Sequence, residues 1–237
     1  MQVVILAGGL GTRLLPLTRW VPKPMVPVSG VPYLEHQLRL LARQGLTDVV
    51  MLTGYLGEQI EDWFGDGDRL GLEIRYSRER QLRGTGGALR DARELLADPF
   101  LLIYGDSYLP IEYRAVGARL KETSAAAVMA VYPAAAAETG VSPNVALDAN
   151  GTVLRYDKKA KSDPELQYVE AGVLAISRQV LDLIPPGDVV SLEQEIFPLL
   201  IRTGRLSAYR TAQRFYNMGT HEGLRVIEEH LTEDRTL

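Results

Sequence analysis

Apolar runs separated by amphipathic stretches fill the first half of the chain. Short apolar runs rich in β-branched residues are typical of strands covered on both faces, whereas longer stretches with apolar residues on one helical face predict helices. The predicted strands are 2–7, 48–53, 72–77 and 100–104. The predicted helices are 33–44, 58–64, 88–96 and 113–122. This order predicts an α/β fold with a mostly parallel, twisted central sheet and helices on both of its faces.

The second half of the chain is richer in predicted strands. Apolar residues at 145–147 and 153–156 flank an Asn-Gly pair, which is typical of a tight hairpin. Ser191 with Gln194 forms a capping box that predicts a helix start, and we expect Pro198 to bend that helix. The other strands predicted here are 126–132, 169–176 and 206–210. We therefore expect a small β-rich portion in the second half of a single domain.

A glycine turn follows the first predicted strand. Gly8, Gly9 and Gly11 would let backbone amides approach a phosphate closely, although the same residues would also serve a plain tight connection. Their spacing matches neither a dinucleotide-binding fingerprint nor a Walker A loop. Arg13 and Lys23 lie on the proline-rich segment that comes next. A guanidinium fork and an ammonium near one turn suit a polyphosphate whose charge changes during a reaction.

The composition of the chain argues against several other kinds of chemistry. The chain has no cysteine and three histidines, which excludes disulfides and thiolate nucleophiles and leaves little room for a zinc site. A net charge of −4 argues against a nucleic-acid partner. No apolar run approaches the roughly 18 residues of a membrane span, and no secretory signal is visible at the N-terminus. We therefore expect a cytoplasmic location, with no membrane partner.

Two N-terminal motifs resemble the signature of a known family. They are LAGGLGTRLLPLT (6–18) and PKPMVPVSGVPYLEH (22–36), and they are similar to the motifs of the sugar-1-phosphate nucleotidyltransferases, or NDP-sugar pyrophosphorylases. Four further motifs follow in the family's order: GTGGA (84–88), GD (105–106), EAG (170–172) and MGTHEGL (218–224). The GTGGA and SLEQEIFP segments look most like the branch that activates mannose- or heptose-type 1-phosphates with GTP. The resemblance covers nearly the whole chain.

The resemblance implies a reaction in which a sugar 1-phosphate attacks the α-phosphorus of an NTP, with Mg²⁺ as cofactor and pyrophosphate as leaving group. Such a reaction requires positioning and charge neutralisation more than a covalent nucleophile. Within the single domain of residues 1–237, residues 1–125 would bind the nucleotide and residues 126–237 the sugar. Substrates would be the NTP and the sugar 1-phosphate, and a homo-oligomer stays open.

Family motifs also imply individual roles. Arg13 would neutralise the leaving pyrophosphate and Lys23 would bridge the reacting phosphates, so both are candidate catalytic residues. Glu79 would accept the imino proton of uracil, thymine or guanine. The implied nucleotide-binding residues are Leu6, Ala7, Gly8, Gly9, Gly11, Thr12, Glu79, Gly84 and Thr85.

Four implied roles concern the sugar phosphate and the metal. Asp106 would bind Mg²⁺ and lie beside the sugar phosphate, and Glu170 and Gly172 would contact sugar hydroxyls. Lys159 falls at the lysine of the family's Glu-Lys-Pro segment, but the chain has Lys-Lys-Ala there, so the register between the two lysines is open. Asn217 stands where many relatives carry a metal-binding aspartate. Because asparagine brings no charge, we expect weaker or altered metal binding at this position.

Other functions remain compatible with the sequence. The same fold could serve as a non-catalytic module that binds a nucleotide sugar, a reading that only Asn217 favours. Cytidylyl or uridylyl transfer to another phosphorylated acceptor would use the same loops. A nicotinamide-dependent oxidoreductase would need a third glycine where Leu14 stands and an acidic ribose ligand that the sequence does not offer.

Overall fold

The computed structural model describes residues 1–136, 139–160 and 163–234. The strands are β1 (Val3–Leu6), β2 (Pro27–Val28), β3 (Val31–Pro32), β4 (Asp48–Thr53), β5 (Glu73–Arg78), β6 (Phe100–Tyr104), β7 (Ser107–Tyr108), β8 (Ala127–Pro133), β9 (Val145–Leu147), β10 (Val153–Tyr156), β11 (Tyr168–Ile176), β12 (Leu206–Arg210) and β13 (Tyr216–Asn217). The α-helices are α1 (Tyr33–Arg43), α2 (Gly57–Phe64), α3 (Gly84–Asp91), α4 (Tyr113–Glu122), α5 (Phe197–Arg202) and α6 (His221–Asp234).

One large sheet forms the centre of the protein. Its strands β5, β4, β1 and β6 lie side by side in that order and run parallel. β11 is antiparallel to β6 on one edge and to β8 on the other, and β12 then runs parallel to β8. The β9–β10 hairpin continues the sheet beyond Tyr168 of β11. Helices cover both faces, so the predicted α/β fold with a mostly parallel sheet is confirmed.

Alternate residues of β1 enter two different cores. Val3 and Ile5 pack in one cluster with apolar side chains of α1, α2, α4 and α6, whereas Val4 packs in the other with α3 and α5. Val3, Val4 and Ile5 are all fully buried. Because successive side chains of a strand point to opposite faces, this is the arrangement that a continuous apolar run requires. The glycine turn that follows β1 therefore lies at the carboxyl edge of the sheet.

A bulge in β11 separates the second half of the sheet from the first. Glu170 pairs with Val131 and Leu174 with Met129, so β11 has two residues more than β8 between these pairs. Gly172 has a φ of +79°, and a Cβ there would lie 2.3 Å from the Cβ of Ser107. Only glycine fits such a position. β11 pairs with β6 only from Val173 to Ile176. The first residues of β11 are therefore not paired with β6.

The structure differs from the sequence predictions at two helix starts. α3 begins at Gly84, four residues before the predicted start, because the amides of Gly86 and Gly87 donate to the carbonyl of Val190. The helix predicted from Ser191 is a π-helical turn, Leu192–Ile196, followed by α5. Pro198 lies in the first turn of α5, directly after the π-helical turn, and the bend expected at this residue stays a prediction. Across the described ranges, no helix is long and apolar enough to cross a membrane.

Candidate active site

Two adjoining cavities lie at the carboxyl ends of the parallel strands, the edge where open α/β sheets bind ligands. The first cavity has a volume of about 380 Å³ and the second of about 410 Å³. Both are lined by Arg13, Tyr104 and Asp106, so these three residues mark the junction. All residues predicted to bind the nucleotide line the first cavity: Leu6, Ala7, Gly8, Gly9, Gly11, Thr12, Glu79, Gly84 and Thr85.

The glycine turn is packed closely on one side and open on the other. A Cβ on Gly8 would lie 3.0 Å from Oε2 of Glu79, and one on Gly11 would lie 2.9 Å from Cγ2 of Thr18. Gly11 also has a φ of +64°, in the left-handed region that favours glycine. Around Gly9, in contrast, a Cβ would meet nothing within 4 Å. The turn therefore requires glycine at Gly11, is crowded at Gly8 and leaves open space at Gly9.

A buried ion pair joins the proline-rich segment to the end of β6. The ammonium of Lys23 lies 2.5 Å from Oδ2 of Asp106, and Lys23 is 9% exposed. Burial by itself would raise the pKa of Asp106, but the attraction and hydrogen bond of Lys23, with smaller contributions from Lys158 and Arg13, lower it below its usual value. The junction therefore holds an ionised carboxylate surrounded by three cations.

The loop around Gly84 is held by the segment before α5. A Cβ on Gly84 would lie 2.5 Å from the carbonyl oxygen of Val190, and Gly84 has a φ of +74°. The amide of Gly86 donates to the same oxygen at 2.8 Å. The Thr85 hydroxyl donates to Oε2 of Glu193 at 2.6 Å and accepts from the amide of Leu192 at 2.9 Å. This wall of the first cavity is thus fixed by contacts across more than a hundred residues of sequence.

Glu79 offers a hydrogen-bond acceptor on the opposite wall. Its Oε1 accepts from the backbone amide of Arg83 at 2.8 Å, and its Oε2 faces Gly8. Burial raises the pKa of Glu79, with a further contribution from Asp91, while the Arg83 amide and charge act against the rise. A half-buried carboxylate in this position can accept hydrogen bonds from the edge of a bound base.

Glu170 and Asn144 form the inner wall of the second cavity. The Glu170 amide donates to Oδ1 of Asn144 at 2.9 Å, and Oε1 of Glu170 accepts from the Gly172 amide at 2.8 Å. Both side chains line the cavity and both residues are buried. Burial raises the pKa of Glu170, and the charge of Lys158 partly offsets the rise. Gly172 itself does not line the cavity but lies behind Ser107, whose close approach it permits.

The structure brings Lys158, and not Lys159, to the second cavity. The Lys158 ammonium lies 3.2 Å from Oε1 of Glu193 and 5.2 Å from the centroid of the Tyr104 ring. The amides of Lys159 and Ala160 both donate to Oδ1 of Asp157, a turn that carries the chain away after Lys158. Lys159 is exposed and lines neither cavity. Sequence analysis left the register between the two lysines open, and Lys158 is the one of the two that lines the second cavity.

Asn217 lies beside Asp106 in the second cavity. It is the last residue of β13, which pairs with β7 so that Asn217 opposes Ser107. Its Oδ1 accepts from the Gly219 amide at 2.7 Å, and the Met218 amide donates to the backbone carbonyl of Asp106 at 3.0 Å. The described residues contain no group of three or more His, Cys, Asp or Glu that could hold a metal ion. One carboxylate and one amide oxygen are hard ligands, enough for an ion that phosphate oxygens and water also coordinate.

Residues 2–234 match the family model described as nucleotidyl transferase. The chain belongs to this family. The resemblance inferred from the motifs is therefore confirmed.

Guanylyltransferases are among the relatives of the chain. A mannose-1-phosphate guanylyltransferase of Mycobacterium tuberculosis is 33% identical over 229 residues, which are 94% of this chain and 62% of that protein. A D-glycero-alpha-D-manno-heptose 1-phosphate guanylyltransferase of Aneurinibacillus thermoaerophilus is 27% identical, with 98% of each chain covered. The crystal structure of HddC from Yersinia pseudotuberculosis complexed with GMP-PN has a TM-score of 0.81 at 25% identity, over 97% of this chain and 99% of that one.

The length shared with these relatives varies. The chain spans less than two thirds of the mycobacterial protein, and 56% of a UTP--glucose-1-phosphate uridylyltransferase of Synechocystis that is 29% identical to it. The heptose 1-phosphate relative and HddC, in contrast, are matched over almost their whole lengths.

Sequence reasoning missed three residues of the candidate site: Tyr104, Asn144 and Glu193. The capping box predicted from Ser191 and Gln194 gives Glu193 no role. The Ser191 hydroxyl does accept from the Gln194 amide at 3.2 Å, but in this π-helical turn the Ser191 amide donates to Oε1 of Glu195 and not to Gln194. A glutamate directly after Leu192, on the side of the turn that packs inward, was the available signal.

Proposed function

We propose that the protein transfers a guanylyl group from GTP to a sugar 1-phosphate, giving a GDP-sugar and pyrophosphate. The observation that carries the proposal is the junction of two cavities at Arg13, Tyr104 and Asp106. Each cavity has the size typical of a small-ligand pocket. A nucleotide in the first and a sugar in the second would bring their phosphates together among the side chains of Arg13, Lys23 and Lys158.

The preference for GTP rests on Glu79. Guanine presents two donors on one edge, its N1–H and its 2-amino group, and a carboxylate can accept both. Uracil and thymine present one N–H between two carbonyl oxygens, which a carboxylate repels, and cytosine presents an acceptor at the equivalent ring nitrogen. A site built around such a donor–acceptor match rejects bases that lack it. The two guanylyltransferases among the relatives are consistent with this choice.

The transfer itself needs charge stabilisation at the junction. A phosphate oxygen of the sugar 1-phosphate attacks the α-phosphorus of GTP, a new P–O bond forms, and the bond to the β-phosphate oxygen breaks as pyrophosphate leaves with the electron pair. Arg13 neutralises charge on the pyrophosphate and Lys23 that on the reacting phosphates. Lys158 binds the sugar phosphate. The chain has no cysteine, and this route requires no covalent nucleophile.

Asp106 and the amide oxygen of Asn217 are the residues that would hold Mg²⁺. The ion, when bound, supplies further neutralisation of the phosphate charges. Glu170 and Asn144 would bind sugar hydroxyls, the first as acceptor and the second through its amide group, whose Oδ1 also accepts from the Glu170 amide. The cytoplasmic location, the two functional halves and a homo-oligomer stay predictions.

A pyrophosphate-release assay tests the proposal with GTP, UTP, CTP and dTTP, each with mannose, heptose and glucose 1-phosphates and Mg²⁺. We expect kcat/KM for GTP to exceed that of the other nucleotides by about tenfold or more. Glu79→Gln should lower kcat/KM for GTP by about 10- to 150-fold, the loss of one charge-assisted hydrogen bond. Glu73→Gln, an exposed position on β5, is the control.

The assay also separates the binding-module alternative, which Asn217 favours. Absence of turnover with every pair, together with a GTP-dependent rise in melting temperature, would support a module that binds without catalysis. If turnover is equal with GTP and UTP and is unchanged in Glu79→Gln, the assignment of guanine recognition to Glu79 is wrong.

A further inference from the structure

A single buried carboxylate contacts both cavities. Oε2 of Glu193 accepts from the hydroxyl of Thr85, which lines the first cavity, at 2.6 Å. Oε1 accepts from the Tyr104 hydroxyl at 2.7 Å and lies 3.2 Å from the ammonium of Lys158, which lines the second. The Ser191 hydroxyl adds a fourth donor at 2.8 Å. Glu193 lines neither cavity itself, so it acts on ligands only through these neighbours.

Its position is fixed by an unusual local structure. Glu193 lies in the π-helical turn Leu192–Ile196, where Leu192 and Ile196 are fully buried or nearly so. Such turns are rare and occur frequently at functional sites. The turn is bound to the first cavity a second time, because the Leu192 amide donates to the Thr85 hydroxyl oxygen. Thr85 and the Glu193 carboxylate are therefore a closed hydrogen-bonded unit.

The charge of Glu193 is well compensated. Burial would raise its pKa, but the charge of Lys158 and the hydrogen bonds of Thr85 and Tyr104 lower it to about 2. Lys158 in turn has two carboxylates nearby, since Glu170 also raises the pKa of the ammonium, against the effect of burial. The Lys158 side chain is 48% exposed and reaches the cavity. Without the charge on Glu193, Glu170 would have the largest remaining effect of an acidic group on the pKa of Lys158.

We propose that Glu193 is a positioning residue that couples the two cavities, holding the Lys158 ammonium at the junction through the same carboxylate that binds Thr85 of the first cavity. The inference rests on the proposed function, in which Lys158 binds the sugar phosphate. A nucleotide against the Gly84 loop contacts Thr85, whose hydroxyl is bonded to the Glu193 carboxylate, and that carboxylate keeps Lys158 beside Tyr104 instead of against Glu170. Each ligand then binds more tightly when the other is present, because such coupling is reciprocal.

Calorimetry on the whole protein tests the coupling with two defined probes, mannose 1-phosphate and the unreactive α,β-methylene analogue of GTP, with Mg²⁺. We expect the analogue to tighten mannose 1-phosphate binding by about fivefold or more, the usual lower range of such coupling. In Glu193→Gln the factor should fall below about twofold, with KM for the sugar phosphate raised more than KM for GTP. Thr85→Val should also abolish the coupling, although Thr85 does not contact Lys158, and Thr85→Ser should restore it.

Glu195→Gln is the matched control. This glutamate is in the same turn and caps the Ser191 amide, but it is exposed and contacts neither Thr85 nor Lys158. A melting temperature lowered in both glutamate variants, with the coupling factor unchanged in both, would mean that Glu193 is only structural and would overturn the inference. Unchanged coupling in Thr85→Val would overturn it even if Glu193→Gln failed to fold.

The two proposals fail in different ways. If the native protein turns over and the variants keep an unchanged coupling factor, the coupling role of Glu193 is rejected and the proposed function stands. No turnover with any nucleotide removes the proposed function, and the calorimetric factor then decides the coupling by itself. No binding of either probe to the native protein removes both.

Discussion

Replacing Lys158 by methionine is the sharpest test of how the second cavity recognises its ligand. Methionine keeps most of the apolar stem and removes the ammonium. That ammonium lies 3.2 Å from Glu193 and 5.2 Å from the Tyr104 ring centroid, so the substitution removes a positive charge at the junction. Lys159→Met is the matched control, because it makes the same chemical change at the adjacent, exposed position.

The expected size follows from the position of Lys158. Two unit charges about 4 Å apart interact by about 4 kcal/mol at an effective dielectric constant of 20. The side chain is 48% exposed and has Glu193 as a competing partner, both of which reduce this value. A net charge-assisted hydrogen bond of about 1.5–3 kcal/mol remains. Since about 1.4 kcal/mol corresponds to a factor of ten, kcat/KM should fall by about 10- to 150-fold.

The measurement is steady-state pyrophosphate release with the sugar 1-phosphate varied at saturating GTP. Lys158→Met should lose most of its kcat/KM through KM for the sugar phosphate, whereas Lys159→Met should stay within about twofold of the native protein. A larger loss in Lys159→Met than in Lys158→Met would refute the assignment. It would mean that the turn at Asp157 rearranges when the sugar phosphate binds.

Three further predictions concern the second cavity. Asn217→Asp adds a metal-binding charge, so half-maximal activity should need less Mg²⁺; identical titration curves would exclude Asn217 from the metal site. Gly172→Ala, at a φ of +79° and 2.3 Å from the Ser107 Cβ, should lower the stability in urea unfolding by about 2–4 kcal/mol, partly restored by Ser107→Gly. Asn144→Ala leaves the buried Glu170 amide without its acceptor and should raise KM for the sugar phosphate by about tenfold, with KM for GTP as the internal control.

The side of the protein that carries the first cavity was largely predictable from sequence. A short, β-branched apolar run such as that of β1 is typical of a strand covered on both faces, and Gly8 and Gly11 are crowded positions. Because parallel strands bring their carboxyl ends to one edge, the sequence alone places the glycine turn and Asp106 together. The prediction worked where local pattern and topology determine position.

The second cavity depends on contacts that no local pattern reveals. Whether Lys158 or Lys159 faces the junction is decided by the turn at Asp157, since a shift of one residue reverses the direction of a side chain. Glu193 acquires its position from a π-helical turn and from Thr85, more than a hundred residues away in sequence. The sequence predicts a capping box at this turn, and the box is present in altered form. This local motif gives no indication of the contact between Glu193 and Thr85.

The bond between Lys23 and Asp106 has a consequence for the energetics of substrate entry. A nucleotide that arrives with its cation can exchange partners with this pair: the phosphates take the ammonium, and the cation takes the carboxylate. This exchange by itself leaves the number of opposite-charge contacts unchanged, so it should add little to the ionic-strength dependence of nucleotide binding. A nucleotide without its cation would take Lys23 from Asp106 and leave that carboxylate without its ion-pair partner. The Lys23–Asp106 ion pair therefore favours a nucleotide that arrives with its cation already bound.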